Sequence, residues 1–222
     1  MTYLLHIDTS GETGCIAIAA DGKLICETIN TETRNHASTI NVMIDDMLAK
    51  AGITMKDLTA IVVCAGPGSY TGLSIGLATA KGLCYALDIP LLLDNKLTLL
   101  AYQAYIKYGQ SYQYYIPLLK AREQEFFISV FDNNFSEVMT AKHIIENELS
   151  NILVEKESIC FVSEHFNDEN QEKYTKNAYV DTNVSISLNS WLFYAFEQFK
   201  CNRFVNLSTA EPFYLKQVYT HK

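Results

Sequence analysis

Residues 60–82 set the tightest limit on what this chain can fold into. The apolar run Ala60-Ile61-Val62-Val63-Cys64 gives way to Ala65-Gly66-Pro67-Gly68-Ser69-Tyr70-Thr71-Gly72, and then to a helical pattern from Leu73 to Leu87. A short apolar run bounded by glycine and proline reads as a buried strand. A strand that turns through glycines into a helix leaves several backbone N–H groups of the first turn without partners inside the helix. Such a turn faces an anion, a partner, or only its own chain, and the spacing leaves these open. The loop matches neither G-x-G-x-x-G nor G-x-x-x-x-G-K-[ST].

The pattern on either side repeats. Tyr3 to Ile7 reads as a strand ending at Asp8, Cys15 to Ala20 as a second, and Lys23 to Ile29 as a third, with Asp21-Gly22 as a two-residue hairpin turn. In a helix from His36 to Ala51, the apolar residues Ile40, Met43, Ile44, Met47, Leu48 and Ala51 recur at three- and four-residue steps, and Gly52 supplies the C-terminal cap. A strand from Ala60 to Ala65, the helix after it, a strand from Pro90 to Leu93 and a helix from Leu97 to Tyr108 follow. The second half offers strands at 114–119, 125–131 and 136–141, a helix at 144–153, a strand at 159–163 and a helix at 188–200 with Leu192, Phe196 and Phe199 on one face. Three strands, helix, strand, helix therefore occurs twice. This predicts a duplicated α/β unit built on a mixed sheet. The domains are expected at 1–108 and 109–222, with the last segment packing back on the first domain.

Composition removes several classes of function. Of 222 residues, 49% are hydrophobic, enough for an ordinary core. The net charge of −8 is spread along the chain, and the scattered basic residues form no stripe. Any contact with RNA would then be indirect, through another subunit's cationic surface. The six cysteines include no C-x-x-C pair and read as buried, reduced thiols. His6, Asp8, Thr9 and Ser10 interrupt any signal peptide, and no apolar run approaches membrane-spanning length. The expectation is a soluble, cytoplasmic protein without membrane contact.

The chemistry-bearing residues are few. Asp8-Thr9-Ser10 ends the first strand beside Gly11 and Gly14. Such a loop either holds a metal-bound phosphate or satisfies its own amides. His6, His36, His143, His165 and His221 include no pair at helical spacing: one turn after His36 stands Ile40. No metal site is expected from them. Ser69 lacks the G-x-S-x-G context of a nucleophile elbow. Of the carboxylates a two-metal nuclease would need, only Asp8 and, distantly, Asp94 are candidates. Gly72, Gly76 and Ala80, with Leu83, form a stripe of small residues on one helix face. It permits close approach of another helix, either inside the domain or across a subunit interface.

Together these residues resemble the TsaB (YeaZ) family. The resemblance is carried by Ile7-Asp8-Thr9-Ser10, by His36 opening its helix, by Ala65-Gly66-Pro67-Gly68-Ser69-Tyr70-Thr71-Gly72-Leu73 and by Gly76-Leu77-Ala78-Thr79-Ala80-Lys81-Gly82-Leu83. Ile89-Pro90-Leu91 and Glu211-Pro212-Phe213-Tyr214-Leu215-Lys216 agree with it. The resemblance implies two tandem actin-like (ribonuclease H-like) domains, each a mixed sheet flanked by helices. It implies a non-catalytic scaffold in the synthesis of N6-threonylcarbamoyladenosine at position 37 of tRNA, activating the catalytic paralogue TsaD. The ATPase TsaE would join the assembly, TsaC would supply threonylcarbamoyl-adenylate, and tRNA would be contacted only indirectly. TsaD holds its metal through two histidines one helical turn apart, a pair that Ile40 breaks here. By the same resemblance the partner interface comprises His36, Ile40, Met43, Ile44, Met47, Gly72, Ile75, Gly76, Thr79, Ala80 and Leu83, and serves a homodimer when TsaD is absent. Asp8, Thr9, Ser10, Gly66, Gly68 and Ser69 would be vestigial phosphate loops. No cofactor is expected, apart from a nucleotide held at a subunit interface. The chain departs from the family at Ser74, where an arginine is usual. The alternative kept open is an actin-like-fold ATP-dependent enzyme, such as a small-molecule kinase using Asp8 and both glycine loops. A protease, the third reading, lacks metal ligands and a nucleophile.

Overall fold

The computed structural model describes residues 1–30, 35–153, 158–163, 178–182 and 185–215. The strands among the described residues are β1 (Tyr3–Asp8), β2 (Gly14–Ala20), β3 (Lys23–Asn30), β4 (Leu58–Cys64), β5 (Leu91–Asp94), β6 (Tyr114–Arg122), β7 (Glu125–Asp132), β8 (Glu137–Ile145), β9 (Ile159–Val162) and β10 (Ala178–Asp181). The α-helices among the described residues are α1 (His36–Ala51), α2 (Tyr70–Leu87), α3 (Lys96–Tyr108), α4 (Glu146–Leu153) and α5 (Leu188–Lys200).

The first sheet runs β3-β2-β1-β4-β5. β1, β2 and β3 form an antiparallel meander, whereas β4 and β5 lie parallel to β1. The hairpin between β2 and β3 turns at Asp21 and Gly22, both at positive φ (50° and 77°), as its two-residue length requires. β1 and β4 are central, and β4 is buried at six of its seven positions, which is why its sequence is continuously apolar. The core below them joins Leu5, Ile7, Ile61 and Val63 to Ile40, Ile44, Met47, Leu77 and Ala80. Gly52 ends α1 in the left-handed region at φ 69°, the expected cap.

The second sheet runs β10-β9-β6-β7-β8, the same order in its own numbering. The duplicated α/β architecture read from the sequence is therefore present, with mixed sheets in both halves. Its fifth strand, β10, was not legible: Ala178-Tyr179-Val180-Asp181 is short and of mixed polarity. The core of this half joins Ile116, Leu118, Ile128, Val130 and Phe161, with a second cluster of Leu100, Ala101, Ala104, Tyr115 and Phe131.

The expected division at 108/109 is displaced. One unit comprises Met1–Lys96 with Leu188–Tyr214, the other Leu97–Ser187 with Leu215–Lys222. α3 follows β5 in the chain but belongs to the second unit, and α5 follows β10 but belongs to the first. The physical reason is where each helix buries its apolar face. In α5 that face is Trp191, Leu192 and Ala195, with Leu192 on Ala17 and Ala19 of β2, whereas Phe196 and Phe199 of the expected stripe are half-buried. Two aspartates mark the exchange. Asp94 ends β5 and accepts from Trp191 Nε1–H on α5 at 2.7 Å. Asp181 ends β10, accepts from the Tyr108 hydroxyl on α3, and pairs with Lys107 Nζ at 2.7 Å. Both aspartates are buried.

The cysteines are all reduced. Cys64, Cys84 and Cys160 are buried as expected, and burial pushes the Cys64 and Cys160 thiols up to about 12. Cys15 and Cys26 are half-buried and Cys201 is exposed, so the uniform expectation fails for those three. Among the described residues no helix is long and apolar enough to cross a membrane.

Candidate functional site

Two loops meet at the C-terminal ends of β1 and β4, where an open α/β sheet ordinarily receives its ligand. The first is Asp8-Thr9-Ser10 and the second Gly66 to Thr71. They are bonded to each other. Ser69 N–H donates to the Ser10 carbonyl at 2.8 Å, and the Thr9 hydroxyl donates to the Gly72 carbonyl at 2.7 Å. The Asp8 carboxylate turns back on its own loop, accepting from Ser10 N–H at 2.8 Å and from the Ser10 hydroxyl.

This contact explains the glycines. A Cβ on Gly68 would stand 2.3 Å from the Ser10 carbonyl oxygen, and one on Gly72 would stand 1.9 Å from that of Thr9. A Cβ on Gly76 would meet Thr9 Oγ1 at 2.4 Å. The stripe of Gly72, Gly76 and Ala80, expected to face a partner, is therefore buried against β1 and its loop: Ala80 is fully enclosed. Ile40, Ile44 and Met47 are likewise core residues. The period that makes α1 and α2 amphipathic points these side chains at their own sheet.

What remains outside is a narrower seam. Met43, Ile75, Thr79 and Leu83 are half-buried, and the three apolar ones pack on the rim of the core. Two apolar residues that the sequence reading passed over are the most exposed here, Val42 at 60% on α1 and Tyr85 at 85% on α2. Their signal was available, since both fall outside the core-facing period of their helices.

Between the loops lies a cavity of about 830 Å³, lined by Ser10, Gly11 and Glu12, by Ser69, Thr71 and Gly72, and by His36 and Ile75. It brings together the first-loop, second-loop and His36 candidates. Among the described residues its lining offers hydroxyls, the first turn of α2 and one carboxylate, with no lysine or arginine to meet a phosphate. His36 is buried, with Nε2 3.4 Å from the Gly11 carbonyl, and it packs where a Cβ on Gly14 would lie 2.9 Å from its Nδ1. One turn on, Ile40 is in the core. Among the described residues no group of three His, Cys, Asp or Glu side chains is placed to hold a metal. A two-histidine metal centre does not fit these residues. His165, His221 and Lys216 lie outside the described residues.

Behind the loops is a polar cluster that sequence reasoning did not assemble. His6 on β1 is fully buried, makes an edge-on contact with Trp191 at 5.1 Å between ring centroids, and among the described residues has no hydrogen-bond partner on either ring nitrogen. Desolvation lowers its pKa to about 3. Desolvation raises Asp94 to about 7, opposed by the hydrogen bond from Trp191. Trp191 is the only tryptophan in the chain.

With this geometry in hand, likeness to known proteins is decisive. The sequence model of the family described as "TsaD: tRNA N6-adenosine threonylcarbamoyltransferase" matches residues 23–195. The chain belongs to that family. Among curated relatives it is similar to the tRNA threonylcarbamoyladenosine biosynthesis protein TsaB of Bacillus subtilis, at 39% identity over 98 residues, 44% of this chain and 43% of the relative. It is also similar to the protein of that name from Escherichia coli, at 33% over 110 residues, 48% of this chain and 46% of the relative. The matched stretches thus span less than half the length of these curated relatives. The solved structure of YeaZ from Pseudomonas aeruginosa superposes with a TM-score of 0.75 at 22% identity, over 97% of this chain and 100% of that one. That likeness gives the fold, two mixed sheets flanked by helices as expected above. The resemblance to TsaB and YeaZ read from the sequence holds.

Proposed function

We propose that this chain is a non-catalytic subunit in the synthesis of N6-threonylcarbamoyladenosine on tRNA, docking on the catalytic paralogue TsaD through the solvent side of α1 and α2. One observation carries the reading: a member of the threonylcarbamoyltransferase family has Ile40 in its core one turn after His36, so that position offers no second histidine to a metal. The exposed Val42 and Tyr85 on the solvent side of these helices supply apolar area of the kind an interface buries. The same area would serve a homodimer in the absence of TsaD. TsaE and tRNA belong to the assembly in this reading, with tRNA contacted through the partners.

The kinase alternative has less support, because Asp8 Oδ1 accepts from its own loop and Gly68 and Gly72 lie against the backbone of the first loop. The test is light scattering after size exclusion, on this chain alone and mixed with the TsaD of the same organism. The expected result is a mixed complex replacing a homodimer. Full modification by that TsaD without this chain would sink the proposal, and calorimetric binding of Mg-ATP to the isolated chain would revive the kinase.

A further inference from the structure

Ser74 has a partner far along the sequence. The segment after α5 returns over the first unit and is pinned at four places. Val205 pairs with Leu91 at the edge of β5, its N–H donating to the Leu91 carbonyl at 3.0 Å. Lys81 Nζ donates to the Ala210 carbonyl at 3.1 Å, and Ala210 itself is buried. Phe213 N–H donates to the Ala65 carbonyl at 2.9 Å, at the end of β4. Finally Tyr214 stacks on Tyr70, with ring centroids 5.1 Å apart and planes at 21°, and shares a 2.9 Å hydrogen bond with Ser74.

Three of these contacts are to α2 and to the loop that feeds it. Tyr70, Ser74 and Lys81 lie on the side of α2 away from Ile75, Thr79 and Leu83, as their helical spacing requires. α2 is thus held by the core on one side and by the strap on another. On its inner side the first turn is held by the first loop through Ser10 and Thr9, and the Ser69 hydroxyl caps it, accepting from Gly72 N–H at a long 3.4 Å. That first turn carries Thr71 and Gly72, which line the cavity, and leads to the docking side of the helix.

We infer that residues 203–214 are a strap that sets the position of the first turn of α2, with Tyr214 as the positioning residue and Ser74 as its anchor. Loss of the Tyr214 ring removes both the stack and the hydrogen bond, and frees a turn that leads to the docking side. The consequence for TsaD rests on the function proposed above; the positioning itself does not.

The test therefore begins without a partner. Hydrogen exchange of the full chain, followed by mass spectrometry, is compared for wild type, Tyr214→Ala and Tyr214→Phe. Exchange across residues 69–76 rises about five- to ten-fold in Tyr214→Ala and less in Tyr214→Phe, which keeps the stack, while β4 and α1 stay protected. Unchanged exchange across 69–76 in Tyr214→Ala overturns the inference, and so does a rise spread equally over the whole unit. The same proteins are then titrated with TsaD. Weaker binding in step with the faster exchange supports the strap's role in docking. Faster exchange with unchanged binding supports the positioning and counts against α2 as the docking element.

Discussion

Gly72 and Gly82 lie in the same helix and predict opposite outcomes. A methyl group on Gly72 would enter the Thr9 carbonyl, so Gly72→Ala forces loop and helix apart and destabilises by about 2 kcal/mol or more. Gly82 is exposed and has no atom within 4 Å of an added Cβ. Gly82→Ala stabilises by about 0.5–1 kcal/mol through helix propensity alone. Urea unfolding midpoints of the two variants check this, and a neutral Gly72→Ala would show that the loops are not in contact. The sequence displayed both glycines alike. A stripe of small residues says that something comes close, and only the fold says that it is the chain's own first loop.

At the scale of the element, α1 was legible end to end because its period, its start and its Gly52 cap agree. α2 begins at Tyr70, a turn before its apolar pattern, because Ser69 caps it and Tyr70 and Thr71 make an exposed first turn. Gly72, Gly76 and Ala80 of the expected interface face the core for a related reason: periodicity locates the buried face. Val42→Asp and Tyr85→Asp should accordingly leave the thermal midpoint within about 2 °C of wild type, since surface changes cost little. Each should reduce association with TsaD at least ten-fold by titration. Loss of folding in either would show that the residue is not on a free face. α5 makes a different prediction. Trp191→Phe keeps an aromatic ring but deletes the donor to Asp94, leaving a buried carboxyl without that bond. Destabilisation of about 1–3 kcal/mol is expected by denaturant unfolding.

For the whole molecule, the His6, Trp191 and Asp94 cluster shapes the response to pH. Unfolding returns His6 from about 3 to 6.5 and Asp94 from about 7 to 3.8. Asp94, raised on folding, contributes stability that is full below pH 3.8 and is lost as pH rises through about 7. His6, lowered on folding, contributes stability that is full above pH 6.5 and is lost as pH falls through about 3. Between roughly pH 4 and 6.5 the unfolded chain holds its proton on His6 and the folded chain on Asp94, so the two slopes cancel. His6→Phe should make stability, relative to wild type, fall with rising pH across that window. Asp94→Asn, which keeps an acceptor for Trp191, should make it rise. Parallel curves for all three proteins would show that the groups are not coupled to folding.

The two mixed sheets were determined by the chain itself: alternation, helical period and turn residues are local, and their order repeated visibly. The resemblance to TsaB and YeaZ was equally legible in the loop and helix motifs. What the tertiary structure alone decided is which surfaces those elements spend on each other. The exchange of α3 and α5 between units follows from packing of apolar faces distant in sequence. The Ser74–Tyr214 bond spans residues that no local pattern connects, and the Asp94–Trp191 bond likewise. Burial of a side chain depends on everything that arrives over it, and periodicity within one element carries no record of that.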